Sequence, residues 1–159
     1  FSLAKQVQVS TILFVGSFGG TVPHTREPRL YVTASNADLR AKIQEYGLRP
    51  TDYEGPGSFA THLMAQAADR GFEMASLVAE IPGYLQGTNP RSIEAVTHRL
   101  SVILGLPIDL AALRGASNQW ENEVSAEIEK NDELLEKIRE LEERYDDELI
   151  DSRSAGEED

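Results

Sequence analysis

Apolar and polar residues near the start of the chain follow the patterns of two β-strands. Val7 and Val9 alternate with polar residues, and an unbroken apolar run then covers residues 12–15. This change from alternation to a continuous run predicts a strand over residues 6–14 whose later half is buried on both faces. Residues 29–34 contain aromatic and β-branched side chains and predict a second strand.

Helical periodicity follows in three segments, each with a capping residue at its start and a glycine at its end. These segments cover residues 35–47, 58–71 and 89–105. Ser and Asn are strong N-terminal signals, and a closing glycine accepts the left-handed conformation that ends many helices. A third strand is predicted over residues 73–81, and residues 49–58, rich in Pro and Gly, predict a loop.

The last part of the chain, from Asp109 onward, predicts helix. Its apolar residues follow a four-three-four spacing, which is typical of the seam of a short coiled coil. The seam positions are Leu134, Ile138, Leu141 and Tyr145. Residues 151–159 have no apolar periodicity and are predicted to be disordered.

The order of these elements predicts an α/β fold with a mostly parallel sheet covered by helices. Three strands are few for such a sheet, and the chain begins with Phe rather than Met. We therefore expect that N-terminal strands are missing from this chain and that a companion fragment or a neighbouring subunit supplies them. The predicted organisation is an α/β body over residues 1–115, an acidic helical extension over 116–150 and a disordered tail over 151–159.

Charge is concentrated at one end of the chain. Residues 1–120 contain ten Lys and Arg and ten Asp and Glu, whereas residues 121–159 contain five and seventeen, so the whole net charge of −12 lies in the second segment. Neither segment offers the basic face that nucleic acid or an anionic membrane requires, and the apolar runs are too short to span a bilayer. The absence of cysteine excludes disulfides and thiolate catalysis and is compatible with a cytoplasmic location.

The glycine-rich stretch after the first predicted strand raises the first question of chemistry. Gly16, Gly19 and Gly20 could let backbone N–H groups approach an anion, but the spacing is neither a P-loop nor a dinucleotide-binding fingerprint. The alternative is a hairpin-like connection that uses glycine for positive φ. The second interpretation is favoured, because isolated glycine patterns are weak motifs.

Two further stretches are candidates for an anion site. His24 and Arg26 could bind a carboxylate or phosphate, although a structural or interface ion pair is the favoured interpretation of Arg26. Residues 53–58 lead into a helix N-terminus, where free N–H groups favour a negative ligand. The candidate residues in this stretch are Glu54, Gly55, Gly57 and Ser58. The alternative is a loop that caps itself, with Glu54 as the internal acceptor.

No metal, cofactor or catalytic set is predicted. His62 and His98 lie in helical segments without a histidine at i,i+4, and no nucleophile elbow occurs. Trp120 stands where the charge-balanced part of the chain meets the acidic part. It either anchors the extension to the body, which is the favoured interpretation, or is a hot-spot residue for a partner.

Taken in order, five stretches of the sequence resemble the proteasome assembly chaperone 2 family, in particular its actinobacterial branch. They are VPHTR at 22–26, YEGPGS at 53–58, RGFEMASLVAEIPGYL at 70–85, NPRSIEAVTHRLSVILGLPIDL at 89–110 and LEERYD at 141–146. The resemblance implies a three-layer α/β sandwich similar to phosphorylase/hydrolase-type folds, C-terminal helices, and self-association with a trimer favoured. It also implies protein partners, and it supplies no catalytic residues. Relatives often have histidine where this chain has Gly83.

Two functions remain open at this stage. The favoured hypothesis is a non-enzymatic protein-interaction or assembly-chaperone-like factor whose body forms homo-oligomers and whose acidic helical tail is free to contact a partner. The alternative is an enzyme or binding protein for a small anionic ligand, such as a nucleoside or phosphate ester. Its site would combine His24, Arg26, Glu54 and the backbone of residues 55–58.

Overall fold

The computed structural model describes residues 1–51 and 58–156. In these residues the chain forms six helices and four strands. The elements are α1 (Ser2–Gln6), β1 (Thr11–Gly20), β2 (Leu30–Ala34), α2 (Ala37–Gln44), β3 (Arg49–Pro50), α3 (Phe59–Asp69), β4 (Glu73–Pro82), α4 (Pro90–Leu104), α5 (Ala111–Ile128) and α6 (Asp132–Gly156).

The described strands form one sheet in the order β1-β4-β2-β3. β1 runs parallel to β4 over its whole length, with Thr11 opposite Glu73 and Gly20 opposite Pro82. β2 is antiparallel to β4 and parallel to the two-residue strand β3. The prediction of an α/β fold with a mostly parallel sheet is confirmed, and the sheet has one strand more than the sequence patterns indicate. β1 forms one edge of this sheet.

Helices pack on both faces of the sheet. On one face, the buried side chains of β2 and β4 form a core with α2 and α4, including Val32, Leu77 and Val96. On the other face, Met74 of β4 packs with residues of α3, including Met64. Because successive residues of β4 point to opposite faces and both faces are covered, the strand is apolar over nearly its whole length.

The start of the chain differs from its prediction. Residues 2–6 form helix α1, Gln8 has a φ of 57°, and the strand begins only at Thr11. β1 then continues through residues 16–20, so the glycine-rich stretch is neither an anion-binding loop nor a hairpin-like connection. None of its glycines has a positive φ. The alternation of Val7 and Val9 does not mark a strand: Val7 is exposed, and Val9 packs against the core that contains Met64 and Met74.

Close approach of backbone and side chains explains the glycines at the end of β1. A Cβ atom on Gly20 would overlap the side chain of Glu80 on the paired strand. A Cβ atom on Gly83 would lie 2.9 Å from the carbonyl oxygen of Gly20. Positions 20 and 83 therefore have no room for a side chain in this backbone arrangement. A histidine at position 83 would displace the β1 backbone.

The three helices predicted in the body are confirmed, together with their caps. The side chains of Asn36, Ser58 and Asn89 each accept a hydrogen bond from the backbone N–H three residues later. Gly105 follows α4 in the left-handed conformation, with a φ of 63°. These capping interactions join residues that are close in the sequence, so they can be predicted without knowing the rest of the fold.

The acidic extension is divided into two helices rather than one. α5 ends at Ile128, and the Asn131 side chain accepts the N–H of Leu134 to begin a new helix. α6 continues as far as Gly156, so residues 151–156 of the segment predicted to be disordered are helical.

Candidate functional site

The carboxylate of Glu80, at the end of β4, organises the chain where it leaves β1. It is only 4% exposed and accepts the backbone N–H groups of Thr21 and Val22 at 2.7 and 3.1 Å. The Tyr31 hydroxyl donates to the same carboxylate at 3.2 Å. Burial by itself would raise the pKa of Glu80, but the hydrogen bond from Thr21 and the neighbouring Arg29 guanidinium outweigh it and hold the pKa below its ordinary value. Glu80 is therefore a buried charge with a full set of partners.

Arg29 balances that charge and connects the sheet to helix α6. Its guanidinium, in a residue only 7% exposed, lies 3.3 Å from Glu80 and 2.6 Å from Glu148 of α6. It also stacks over the ring of Tyr145 at 4.6 Å from the ring centre. A buried guanidinium of this kind is stable only while its carboxylate partners are present. We call residues 21–29, together with their contacts to β4, α5 and α6, the joint.

His24 lies at the centre of the joint and is 2% exposed. Its backbone N–H donates to the Tyr84 hydroxyl at 2.9 Å, and its ring Nδ1 lies 2.8 Å from the same oxygen. On the other side of the ring, Nε2 lies 3.0 Å from Ser125 Oγ on α5, and Trp120 of α5 meets the ring edge-on. Burial lowers the pKa of His24 and raises the pKa of Tyr84 to about 12. Both side chains are therefore neutral at pH 7.

Arg26 and its neighbours attach the last helix. Arg26 forms a two-pronged pair with Asp146 at 2.9 and 2.8 Å and also contacts Glu142, to which Thr25 donates a short hydrogen bond. The Tyr145 hydroxyl donates to the carbonyl of Glu27 at 2.9 Å. α6 is thus held to its own body by ion pairs and hydrogen bonds along one of its faces.

The apolar seam of α6 faces the body of the same chain. Ile138 and Tyr145 are buried, at 4% and 6% exposure, and Leu134 and Leu141 are half-buried. The expectation that the helical extension is free to contact a partner through this seam is therefore wrong. The spacing that resembles a coiled coil is also the spacing of a helix packed against a globular body.

The predicted anion site is only partly within the described residues. Glu54, Gly55 and Gly57 lie outside them. Ser58 caps α3 through the N–H of Thr61. His24 and Arg26 have their polar atoms directed at α5, α6 and Tyr84, where they form the contacts described above. A pocket shared by these residues therefore stays a prediction, and two of its members already have partners within the chain.

Sequence reasoning missed the residues that organise the joint, namely Arg29, Glu80, Tyr84 and Ser125. One signal was present: Glu80 interrupts an otherwise apolar strand, and a charge at a buried position requires a partner. The partners cannot be identified from the sequence alone, because Glu80 and Arg29 are 51 positions apart and His24 and Ser125 are 101 positions apart.

An accessible apolar surface lies along β1. Val15 and Phe18 are 44% and 45% exposed, although they occupy a ten-residue strand, and Ile93 on the neighbouring α4 is 44% exposed. A groove of about 460 Å³ separates β1 and β4 from α4. Its walls include Val15, Ile81, Ile93, Val96 and Leu100. We call the free edge of β1 and this groove the edge groove.

Two kinds of site are not found in the described ranges 1–51 and 58–156. These residues contain no group of three or more His, Cys, Asp or Glu side chains that could hold a metal ion. They also contain no helix that is long and apolar enough to cross a membrane.

Together, these features define an α/β domain whose buried polar side chains hold its own helices in place and which has an accessible apolar surface at a sheet edge. The sequence profile of the PAC2 family matches residues 1–128, and the chain belongs to the PAC2 family. The resemblance found in the sequence is thereby confirmed. No curated protein matches the chain.

Solved structures share this fold. A Mycobacterium tuberculosis protein of unknown function superimposes with a TM-score of 0.82 at 24% identity, covering 98% of this chain and 52% of that chain. A second M. tuberculosis protein, described as a proteasome-assembly chaperone homologue, matches with a TM-score of 0.72 at 27% identity, over 86% of this chain and 57% of that one. Pyrococcus furiosus PbaB, described as an archaeal proteasome activator, matches with a TM-score of 0.65 at 22% identity, over 79% and 53%. The chain spans about half the length of these relatives.

Proposed function

We propose that this chain is a non-enzymatic protein-interaction factor of the assembly-chaperone type, and that it binds other proteins through the edge groove. The observation that carries the proposal is the exposure of Val15 and Ile93, which line a groove of about 460 Å³. Apolar side chains on a sheet edge favour association, because water contacts are lost and the unpaired backbone groups of β1 gain partners. Membership of the PAC2 family and the likeness to a proteasome-assembly chaperone homologue support the same direction.

The arrangement of polar side chains favours this function over the small-ligand alternative. Both ring nitrogens of His24 and the guanidinium of Arg26 have partners on α5, α6 and Tyr84. A catalytic or ligand-binding group must instead present an atom to a cleft.

The shape of the sheet supports a more specific proposal about how the edge is covered. Among the described residues, β1 has a partner strand on one side only, over ten residues, and many of its side chains are partly exposed. We infer that the edge accepts an additional strand, from a companion N-terminal fragment or from a neighbouring subunit of a homo-oligomer, with a trimer favoured. Pairing along an edge satisfies backbone N–H and C=O groups and places alternate side chains into the groove.

A matched pair of variants tests the proposal. Val15→Lys places a charge in the edge groove, whereas Leu106→Lys makes the same change at an exposed apolar residue beyond the end of α4. Light scattering after size exclusion should give a multiple of the 17.5 kDa chain for the wild type and for Leu106→Lys. Val15→Lys should reduce the mass to that of one chain and should weaken binding to purified proteasome subunits.

Either of two results would contradict the proposal. One is a wild-type chain that is monomeric and binds no proteasome subunit. The other is a Val15→Lys variant that associates as well as Leu106→Lys, because the binding surface would then lie elsewhere.

A further inference from the structure

One hydroxyl group in the wall of the edge groove has no hydrogen-bond partner. Ser92, in the first turn of α4, is 6% exposed, and its Oγ forms no hydrogen bond with any of the described residues. The N-terminal cap of α4 does not use this hydroxyl, because the Asn89 side chain accepts the backbone N–H of Ser92 at 3.0 Å. A buried hydroxyl without a partner gives up its hydrogen bonds to water and gains none in return, so it destabilises the folded chain.

The position of Ser92 on α4 places its side chain at the groove. Ser92, Val96 and Leu100 are four positions apart, so they form one stripe of the helix. All three line the groove, together with Ala79 and Ile81 of β4. The Oγ of Ser92 is attached to a Cβ atom of this stripe. A hydrogen-bond partner for it can therefore come from a molecule that occupies the groove.

The rest of the groove wall sets the chemistry of that molecule. The described residues that line the groove include no ionisable side chain, and most of them are aliphatic or glycine. A charged side chain that entered the groove would lose its hydration without meeting an opposite charge, whereas an aliphatic side chain would be stabilised by burial. Ser92 adds one requirement to this apolar wall, because its hydroxyl needs a polar group that can donate to it or accept from it.

We propose that Ser92 selects the strand that adds to β1: toward the groove, this strand presents aliphatic side chains and one hydroxyl or carboxamide side chain that pairs with Ser92. The inference rests on the proposed function, because it concerns the segment that occupies the edge groove. The backbone groups of an added strand lie in the plane of the sheet, and alternate side chains point toward the groove, so a side chain supplies the partner. The occupant is thus a neutral, mostly aliphatic segment of another protein chain with one groove-facing residue such as Thr or Asn.

A first measurement tests whether the Ser92 hydroxyl is unpaired in the free chain. Ser92→Ala removes this hydroxyl, and Ser101→Ala is the matched control on the same helix, where the hydroxyl donates to the His98 carbonyl at 2.7 Å. Both changes replace serine with alanine in α4, so the effect of helix propensity is shared. We expect the thermal midpoint of Ser92→Ala to exceed that of Ser101→Ala by about 2–4 °C. A midpoint equal to that of the control, or below it, would overturn the proposal.

A second measurement identifies the side chains that enter the groove. Displayed segments of ten residues, the length of β1, are varied among Val, Leu, Thr and Asn at alternate positions, and the other positions are Lys or Glu, which the apolar groove excludes. We expect the wild type to retain segments with Thr or Asn at one varied position, and Ser92→Ala to retain segments with Val or Leu at all of them. Replacing the selected polar residue by Val should weaken binding to the wild type about five- to tenfold and should strengthen binding to Ser92→Ala.

The outcomes separate this inference from the proposed function. Segments that bind the wild type and Ser92→Ala alike, or the absence of any segment that binds the wild type, would overturn selection by Ser92. The proposed function is judged separately, by the loss of self-association and of subunit binding in Val15→Lys. If Val15→Lys retains the selected segments as well as the wild type does, the segments bind outside the edge groove and both proposals fail.

Discussion

The middle of strand β1 and the segment that follows the strand lie in opposite environments. Along its middle, the edge groove leaves apolar side chains such as Val15 and Phe18 nearly half exposed and one side of the backbone without a strand. Beyond its end, the joint buries the charged groups of Arg29 and Glu80, which pair with each other and have further partners in the segment after β1, in β2 and in α6. The joint is thus a buried cluster of paired charges, whereas the edge groove is an accessible apolar surface. The contrast supports the proposal that other proteins bind at the edge groove.

The largest expected effect comes from removing the central carboxylate of the joint. Glu80→Ala leaves the buried Arg29 guanidinium with Glu148 as its remaining carboxylate partner. It also leaves the backbone N–H groups of Thr21 and Val22 without their acceptor. We expect the free energy of unfolding to fall by about 3–5 kcal/mol in a denaturant titration. Glu73→Ala, at the exposed start of the same strand, is the control and should change it by about 0.5 kcal/mol or less.

The pH dependence of stability in the wild type and in Glu80→Ala provides a second test of the role of Glu80. Because the pKa of Glu80 lies below its ordinary value of 4.5 in the folded state, its contribution is complete above that pH and is lost as the pH falls further. The wild type should therefore lose more stability than Glu80→Ala below pH 4.5. If the free energy of unfolding falls equally steeply with pH in the two proteins, Glu80 is not the charged centre of the joint.

A smaller effect is expected at the strand end, where the joint meets the sheet. Gly20→Ala adds a Cβ atom into the side chain of Glu80, and we expect it to destabilise the chain by about 1–3 kcal/mol. Gly115→Ala is the matched control, since a Cβ atom on that residue of α5 meets nothing within 4 Å. In a helix this change should stabilise by about 0.5–1 kcal/mol. Thermal unfolding of the two variants should therefore shift in opposite directions.

The smallest effect concerns a single hydrogen bond of the joint. Tyr145→Phe removes the hydroxyl that donates to the Glu27 carbonyl but keeps the ring beneath Arg29. We expect a loss of about 1 kcal/mol in the free energy of unfolding. Tyr145→Ala, which also removes the buried ring, should cost about 3 kcal/mol or more. If the two variants are equally destabilised, the ring is not what holds α6 at this point.

The contrast between joint and edge also explains what the sequence could predict. The three body helices are predictable because each cap acts locally, on the N–H three residues later. The end of β1 is misplaced in the prediction because its glycines resemble a loop, and the side chain that requires glycine at position 20, that of Glu80, lies on a strand some sixty positions away.

The candidate site was less predictable than the fold for a related reason. His24, Arg26 and Trp120 were recognised as unusual, but their partners Tyr84, Asp146 and Ser125 come from elements far along the chain. Residue type alone does not say whether a buried histidine faces a ligand or its own helices. The four-three-four spacing of α6 had the same ambiguity, because a helix docked on its own body and a helix docked on another chain bury the same stripe.

The sharing of Arg29 between Glu80 and Glu148 has a practical consequence for anyone who shortens this protein. Sequence composition suggests that the acidic end is a detachable accessory, yet a version ending before α6 would lose Glu148, the Tyr145 ring and the partners of Arg26 in one cut. Such a truncation leaves the buried Arg29 guanidinium without one of its two carboxylate partners. A partner that fails to bind the shortened protein would then report a damaged scaffold rather than a lost contact surface.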